Sequence, residues 1–280
     1  MMSNIVKILT ILFVCLSLFS CHSTSIIEKG VSPELKDITN EHQVDLSNIS
    51  LVIQRHSDKK EWHINQPRSS QRFIPASTSK IPHTLIAIDA GIAEPNTPFS
   101  WDNTDRGLSS WNQDQTLALA YKRSTVWVYK MIASQLGHTR MKQRLMDFEY
   151  GNTNIGSEEQ LTQYWLEGPL KISANEQIIF LTKLIDQTLP INKSTYEVAL
   201  PMMLNDSLDD RQLYAKTGLF RNKSENIKFT GWFVGWLNVN NESEKEIYTF
   251  ALNIDLQDFK EHPKRKAIVI WAFKKLGLWL

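Results

Sequence analysis

Cysteine is almost missing from this chain of 280 residues, which carries only Cys15 and Cys21. Both lie near the N-terminus, so the body of the chain has neither a thiol nucleophile nor a cysteine-based metal site. If the first 20 residues are removed, a single cysteine remains and no internal disulfide can form, even in an oxidising compartment. We therefore expect core packing to stabilise the fold.

Long hydrophobic runs are also scarce. One apolar run at residues 8–19 is too short for a membrane span, which needs ~20 apolar residues. It follows Lys7 and precedes Ser20, an arrangement typical of secretory signals. We predict a signal peptide over residues 1–20, export to the bacterial periplasm, and a tether over residues 21–45. Leu18-Phe19-Ser20-Cys21 also resembles a lipobox, so two alternatives stay open: a free periplasmic protein, or one attached to the membrane through a lipidated Cys21.

Net charge is close to zero, with 31 Lys and Arg against 30 Asp and Glu, and loss of Lys7 with the signal leaves equal numbers. A neutral chain has no overall field that attracts nucleic acid, so we expect no nucleic-acid partner. The seven histidines form neither H-x-H nor H-E-x-x-H, and no glycine-rich phosphate loop is present. We therefore expect no metal and no bound cofactor.

The rest of the composition is that of a globular protein, with 42% hydrophobic and 22% charged residues. We place one large domain at residues 46–280. Segments rich in β-branched residues predict strands near both ends of the domain, and helical periodicity dominates the middle. The expected fold is α+β: an antiparallel sheet formed by the N- and C-terminal segments, flanked by helices, with a mostly helical region inserted. The predicted strands are residues 49–56, 62–65, 213–219, 228–239 and 246–255, and the predicted helices are residues 76–90, 124–136, 174–187 and 264–279.

An S-x-x-K motif at residues 77–80 is the first candidate for chemistry. Positions i and i+3 share one helix face, so the Ser77 hydroxyl and the Lys80 amine can touch. A serine becomes nucleophilic when a base takes its proton, and burial can keep a lysine neutral enough to do so. Alone, the motif is more typical of a helix start with a surface lysine.

Three further motifs have simple structural explanations when each is taken alone. Ser124 in S-T-V is typical of a helix N-cap, and Tyr150 in Y-G-N of a surface turn. Lys216-Thr217-Gly218 lies on a predicted strand, where strict alternation would send the lysine and threonine to opposite faces. Their spacing alone therefore does not place them in one site.

The order of these motifs is more specific than any one of them. S-x-x-K, S-x-V, Y-G-N and K-T-G follow one another as in active-site serine penicillin-recognising enzymes. Over about residues 50–275 the sequence resembles the class D, or oxacillinase-type, β-lactamases. Trp165-Leu166-Glu167-Gly168 is similar to the family's W-x-x-G segment, and Arg265 matches its arginine before the last helix. One departure is Ser79, where the family usually has an aromatic residue.

The resemblance implies a penicillin-binding, transpeptidase-like fold, a small β-lactam as substrate and a role in antibiotic resistance. It implies that Ser77 attacks the ring carbonyl, that Ser124 passes a proton to the leaving nitrogen and that Lys216 supports this transfer. The backbone N–H groups of Ser77 and Leu219 would form an oxyanion hole. The substrate-binding residues that it implies are Thr217, Gly218, Leu219, Arg265 and Tyr150.

The family's base is a lysine that has reacted with carbon dioxide, so the resemblance implies that Lys80 becomes N6-carboxylysine. Only a neutral amine adds carbon dioxide, and an apolar wall favours that form. The expected wall is Val126, Trp165 and Leu166, and the Trp165 indole could donate to the carbamate.

Other classes of protein stay open as alternatives. The nearest is a penicillin-binding or penicillin-sensing domain that is acylated without turnover. A cell-wall D,D-peptidase would carry asparagine in place of Val126, and a non-catalytic lipoprotein would only bind. Whether the protein is a monomer or a homodimer is open as well.

Overall fold

The computed structural model describes residues 30–222, 228–240 and 245–279, so the predicted signal peptide and Cys21 lie outside the described residues. Six strands form one antiparallel sheet in the order β2-β1-β8-β7-β6-β5, and β3 and β4 form a separate pair. The predicted α+β architecture is confirmed. The strands are β1 Ile49–Arg55, β2 Glu61–Ile64, β3 Pro98–Phe99, β4 Gln115–Thr116, β5 Leu204–Leu208, β6 Arg211–Arg221, β7 Phe229–Asn240 and β8 Lys245–Leu256.

The two ends of the domain meet in the middle of this sheet. Strand β1 pairs with β8 from Ile49 opposite Ile254 to Arg55 opposite Tyr248. β7 and β8 pair along their whole length as a hairpin, whose connecting residues 241–244 lie outside the described residues. All five predicted strands are confirmed, most of them with ends shifted by one or two residues.

Helices pack on both faces of the sheet. They are α1 Ile38–His42, α2 Gln66–Ser69, α3 Lys80–Asp89, α4 Leu117–Arg123, α5 Val126–Leu136, α6 His138–Asp147, α7 Ala174–Ile185, α8 Lys193–Ala199 and α9 Lys264–Lys275. Strand alternation sends Trp232 and Val234 of β7 to a core shared with α3–α8, and Phe233 to a second core shared with α9. The inserted helical region therefore covers one face, and the C-terminal helix covers the other.

Residues 30–45 differ from a simple tether. Pro33–Leu35 form a 3₁₀ turn, α1 follows, and Leu35 and Ile38 are completely buried in the second core with α9. Burial of these two side chains makes this part of the predicted tether an integral part of the folded domain. No described helix is long and apolar enough to cross a membrane.

Two predicted helix starts differ from the structure. Ala76–Ser79 form a 3₁₀ turn and the α-helix begins at Lys80, which places Pro82 in the first turn, where its missing N–H costs nothing. Ser124 does not cap α5. It ends α4 in the left-handed conformation, with φ of 57°, and Thr125 precedes the first residue of α5. The N-cap explanation of Ser124 is therefore wrong.

Candidate active site

The S-x-x-K segment forms a tight turn that packs against β6 at Gly218. Ala76, just before Ser77, is buried with φ of 49°, a conformation that L-residues rarely adopt and that costs free energy. Side-chain hydroxyls tie the turn to its own backbone, since Thr78 Oγ1 donates to the Pro75 carbonyl at 2.8 Å and Ser79 Oγ donates to the Ala76 carbonyl at 2.7 Å. The neighbouring Ser77 is left with its hydroxyl partly exposed.

The Lys80 amine lies beside that hydroxyl. Its Nζ is 3.1 Å from Ser77 Oγ, and the residue has no exposed surface. Burial, with a further contribution from the charge of Lys216, holds the pKa of Lys80 well below its usual range. Lys80 makes no ion pair with any described residue, and its Nζ lies 4.8 Å from the ring centroid of Tyr129. The structure thus places an amine whose charged form is disfavoured by burial next to a serine.

An aromatic cluster lies next to Lys80 and consists of His83, Tyr129, Tyr164 and Trp165. His83, one turn further along α3, is buried, and its Nε2 lies 2.5 Å from the Tyr164 hydroxyl oxygen. Burial and the charge of Lys80 lower the pKa of His83 to about 3, so the imidazole is neutral. Trp165 packs edge-on to both rings, and its buried indole nitrogen has no hydrogen-bond partner among the described residues.

The three predicted wall residues occupy different positions. Trp165 is buried in this aromatic cluster. Val126 begins α5 and is partly buried, and Leu166 packs against the main core. Sequence reasoning missed His83, Tyr129 and Tyr164. The spacing of His83 from Lys80 was the available signal, because residues three apart share a helix face.

Ser124 and Lys216 form the second hydroxyl–amine pair. Lys216 Nζ donates to Ser124 Oγ and, at 3.1 Å, to the Thr217 carbonyl. Burial, together with the charge of Arg265, lowers the pKa of Lys216 to about 7. Lys216 and Thr217 also border one small cavity of about 100 Å³.

Gly218 allows β6 to approach the turn Ala76–Ser79 that carries Ser77, which we call the nucleophile turn. A Cβ at this position would lie 2.8 Å from the Pro75 carbonyl oxygen and 3.1 Å from Thr78 Cγ2. β5 pairs with β6 only as far as Tyr214, so beyond that point this edge of β6 is not covered by a strand. Leu219, the next residue, is partly exposed at the same edge.

Arg265 reaches the same strand from α9. Its Nη1 donates to the Gly218 carbonyl at 2.5 Å, and its Nε donates to the His262 carbonyl at 2.7 Å. Gly231 leaves room for the arginine side chain, because a Cβ there would lie 2.6 Å from Arg265 Cδ. Burial lowers the pKa of Arg265 to about 10, so it is charged at neutral pH. A fixed cation therefore lies beside the Lys216–Leu219 segment.

Tyr150 does not line the cleft, which corrects its expected role in substrate binding. It is completely buried in the main core, and its ring packs edge-on to Phe180. Its hydroxyl oxygen accepts a hydrogen bond from Gln177 Nε2 at 3.3 Å, and the same nitrogen donates to Thr78 Oγ1 at 3.1 Å. Gln177 therefore links Tyr150 to Thr78, which belongs to the turn that carries Ser77. Through this link, Tyr150 helps to hold that turn in position. Gln177 was not predicted, since a lone glutamine within an apolar helix carries no sequence signal.

Comparison with known proteins agrees with this geometry. The model of the penicillin binding protein transpeptidase domain matches residues 47–271. β-Lactamase OXA-48 of Klebsiella pneumoniae is 35% identical over 84% of this chain and 86% of its own, and β-lactamase OXA-10 of Pseudomonas aeruginosa is 30% identical over 95% and 98%. Among solved structures, the class D β-lactamase FUS-1 (OXA-85) from Fusobacterium nucleatum has a TM-score of 0.81 at 35% identity, covering 89% of this chain and 99% of that one.

No group of three histidine, cysteine or acidic side chains placed to hold an ion occurs in the described part of the chain. One family accounts for the two hydroxyl–amine pairs, for the K-T-G motif on β6 and for these relatives. The chain belongs to the class D β-lactamase family.

Proposed function

We propose that this protein hydrolyses the amide bond of the β-lactam ring through an acyl-enzyme on Ser77. The observation that carries the proposal is the 3.1 Å separation of Lys80 Nζ and Ser77 Oγ, combined with complete burial of Lys80. The Lys80 side chain, carbamylated as proposed below, can take the hydroxyl proton while the serine oxygen bonds to the ring carbonyl carbon. Cleavage of the ring carbon–nitrogen bond then leaves an ester on Ser77.

The leaving nitrogen needs a proton as this bond breaks. Ser124 is the proposed donor, because its hydroxyl is held by Lys216, which can replace the proton or stabilise its transfer. A lysine with a pKa of about 7 suits this role, since it exchanges protons readily near neutral pH. The charge that develops on the carbonyl oxygen would be stabilised by the N–H groups of Ser77 and Leu219, each contributing about 3 kcal/mol.

The substrate carboxylate is expected at Thr217 and Arg265. Arg265 is buried, charged and fixed against the Gly218 carbonyl, so it offers a preorganised positive field beside β6. Thr217 can add a hydroxyl donor from the cavity that it shares with Lys216.

Deacylation needs a base that activates water, and we propose that Lys80 supplies it as a carbamate. Carbon dioxide bonds to the neutral amine, which loses one proton and becomes an anion with acceptor oxygens. Two observations support the fit: the lowered pKa of Lys80, and the buried indole N–H of Trp165, which has no acceptor among the described residues and could donate to such an oxygen.

Multiple turnover separates this proposal from its alternative, a domain that is acylated without release. A chromogenic cephalosporin should be hydrolysed many times per enzyme molecule, and Ser77→Ala should abolish the reaction. A burst that stops at one product per protein would favour the alternative. Removal of bicarbonate at mildly acidic pH should slow deacylation reversibly, and an unchanged rate would contradict the carbamate.

Export to the periplasm, cleavage after Ser20 and lipid attachment at Cys21 are also proposed from the N-terminal sequence. Mass spectrometry of protein recovered from the membrane and soluble periplasmic fractions of an expressing bacterium would test them. A Cys21→Ala variant should leave the membrane fraction if the cysteine is lipidated. Ultracentrifugation of the mature protein would distinguish a monomer from a homodimer.

A further inference from the structure

Ser124 lies in the corner between α4 and α5, in a backbone conformation that needs support. Its φ of 57° is in the left-handed region, which costs free energy for a residue with a side chain and persists only where surrounding contacts impose it. The Ser124 N–H donates to the Tyr121 carbonyl at 3.2 Å, which is a contact within the end of α4 itself. We therefore expect contacts from outside the two helices to hold the residues on either side of Ser124.

Gln115, on β4, contacts both chain neighbours of Ser124. Its amide oxygen accepts hydrogen bonds from Arg123 Nη1 at 3.3 Å and from Thr125 Oγ1 at 3.5 Å. Gln115 is 2% exposed and Thr125 is completely buried, so bulk water competes little for these polar groups. One buried amide therefore bridges the residues that precede and follow the proposed proton donor.

The nitrogen of the same amide is anchored in the loop before β4. Gln115 Nε2 donates to the Ser110 carbonyl at 2.9 Å and to the Gln113 carbonyl at 3.0 Å. Both amide hydrogens and the amide oxygen thus have partners, which fixes the orientation of the amide. Trp111, in the same loop, adds a hydrogen bond from its Nε1 to the Arg123 carbonyl at 3.0 Å. This loop therefore supports the corner between α4 and α5.

We propose that Gln115 is a positioning residue, which holds Ser124 in the left-handed conformation from which its hydroxyl can protonate the leaving nitrogen of the substrate. The inference rests on the proposed function. Within the described part of the chain, no side-chain hydrogen bond of Gln115 reaches Ser77 or Lys80, which belong to the nucleophile turn and to α3. Gln115 acts through the residues on either side of Ser124, so its loss should affect proton donation more than attack by Ser77.

Acylation and deacylation place different demands on this corner. During acylation the ring carbon–nitrogen bond breaks, its electron pair goes to the nitrogen, and the nitrogen takes the Ser124 proton, which Lys216 replaces. During deacylation the Lys80 carbamate takes a proton from the attacking water, and the Ser77 oxygen leaves the ester carbon with a proton from the carbamate. No nitrogen leaves in that step, so a displaced Ser124 should slow acylation selectively.

The test is a rapid-quench measurement with benzylpenicillin, in which mass spectrometry follows the formation and decay of the acyl-enzyme in wild-type protein and in Gln115→Leu. We expect acylation to slow about 10- to 100-fold, because a misplaced catalytic group loses most of its effect, and deacylation to stay within about twofold. Gln113→Leu is the matched control, since it removes an exposed glutamine side chain from the same loop. Both of its rates should equal those of the wild-type protein.

A second variant tests the bridge itself. Thr125→Val removes one donor to the Gln115 oxygen and keeps the shape of the side chain, so it should slow acylation less than Gln115→Leu. The double variant should acylate no more slowly than Gln115→Leu alone, because the Thr125 hydroxyl has already lost its acceptor there. Losses that multiply in the double variant would overturn the proposal.

Failure of this inference is distinct from failure of the proposed function. If wild-type protein forms no acyl-enzyme on Ser77, the proposed function is wrong. If it does, and Gln115→Leu leaves acylation unchanged or slows acylation and deacylation equally, Gln115 does not position Ser124.

Discussion

The imidazole of His83 and the indole of Trp165 meet edge to face, with ring centroids 4.8 Å apart, one helical turn from Lys80. Trp165 is thereby fixed with its indole nitrogen buried and without a hydrogen-bond partner in the part of the chain that the structure describes. Leaving a buried N–H unpaired costs about 1–3 kcal/mol. The carbamate proposed on Lys80 would supply an acceptor for this N–H.

Replacing Trp165 by phenylalanine should remove that donor while keeping an aromatic ring. We expect the acyl-enzyme to accumulate, kcat to fall about 100-fold, and added bicarbonate to restore part of the loss. Trp271→Phe is a matched control, because that indole nitrogen is also buried and unpartnered but belongs to α9. Equal kcat values for the two variants would contradict the assigned role of Trp165.

Lys80→Met should abolish turnover and yet stabilise the fold. Burial lowers the pKa of the Lys80 amine in the folded protein, while the unfolded chain has the ordinary value, so unfolding takes up a proton at pH values between the two. Wild-type stability should therefore rise, relative to the variant, as pH increases towards about 10.5, the ordinary pKa of lysine. We expect the variant to be more stable by about 1–4 kcal/mol at pH 7. Thermal unfolding across pH would show this, and a constant difference at all pH values would exclude it.

We expect Gln177 and Tyr150 to stabilise the nucleophile turn jointly, because Gln177 bonds to both Tyr150 and Thr78. Gln177→Leu leaves the Tyr150 hydroxyl buried without its donor, and we expect a loss of about 1–3 kcal/mol in unfolding free energy and a fall in kcat larger than the change in KM. Tyr150→Phe removes the acceptor instead. The double variant should lose less than the sum of the two single losses, measured by urea unfolding, and additive losses would show that the pair is not coupled.

Gly218→Ala should reduce activity without unfolding the protein. The added methyl group would meet the Pro75 carbonyl oxygen at 2.8 Å, so β6 and the nucleophile turn must separate. A displacement near 1 Å at a reacting centre can lower the rate about 100-fold. Steady-state kinetics with thermal unfolding as the control would test this. Unchanged kcat/KM would mean that the close approach is not needed.

Much of the fold and site followed from the sequence because the patterns involved are local. Segments rich in β-branched residues placed β6, β7 and β8, and the S-x-x-K spacing placed the Lys80 amine beside Ser77. Contacts between distant segments were not predictable in this way. Gln177 approaches Thr78 only because α7 packs against the nucleophile turn, and Tyr150 is buried rather than exposed for the same reason. The left-handed Ser124 was missed because hydroxyl residues before an apolar helix are usually caps.

The pairing of β1 with β8 has a consequence for biogenesis. Ile49 can pair with Ile254 only after almost the entire domain has been synthesised, and Arg265 is synthesised after both. Contacts between such distant positions form slowly, because a long loop must close first. A nascent polypeptide that stops before β8 lacks the strand that lies between β1 and β7, so its sheet and its substrate cleft are incomplete. Catalytic competence should therefore appear only once translation is nearly complete.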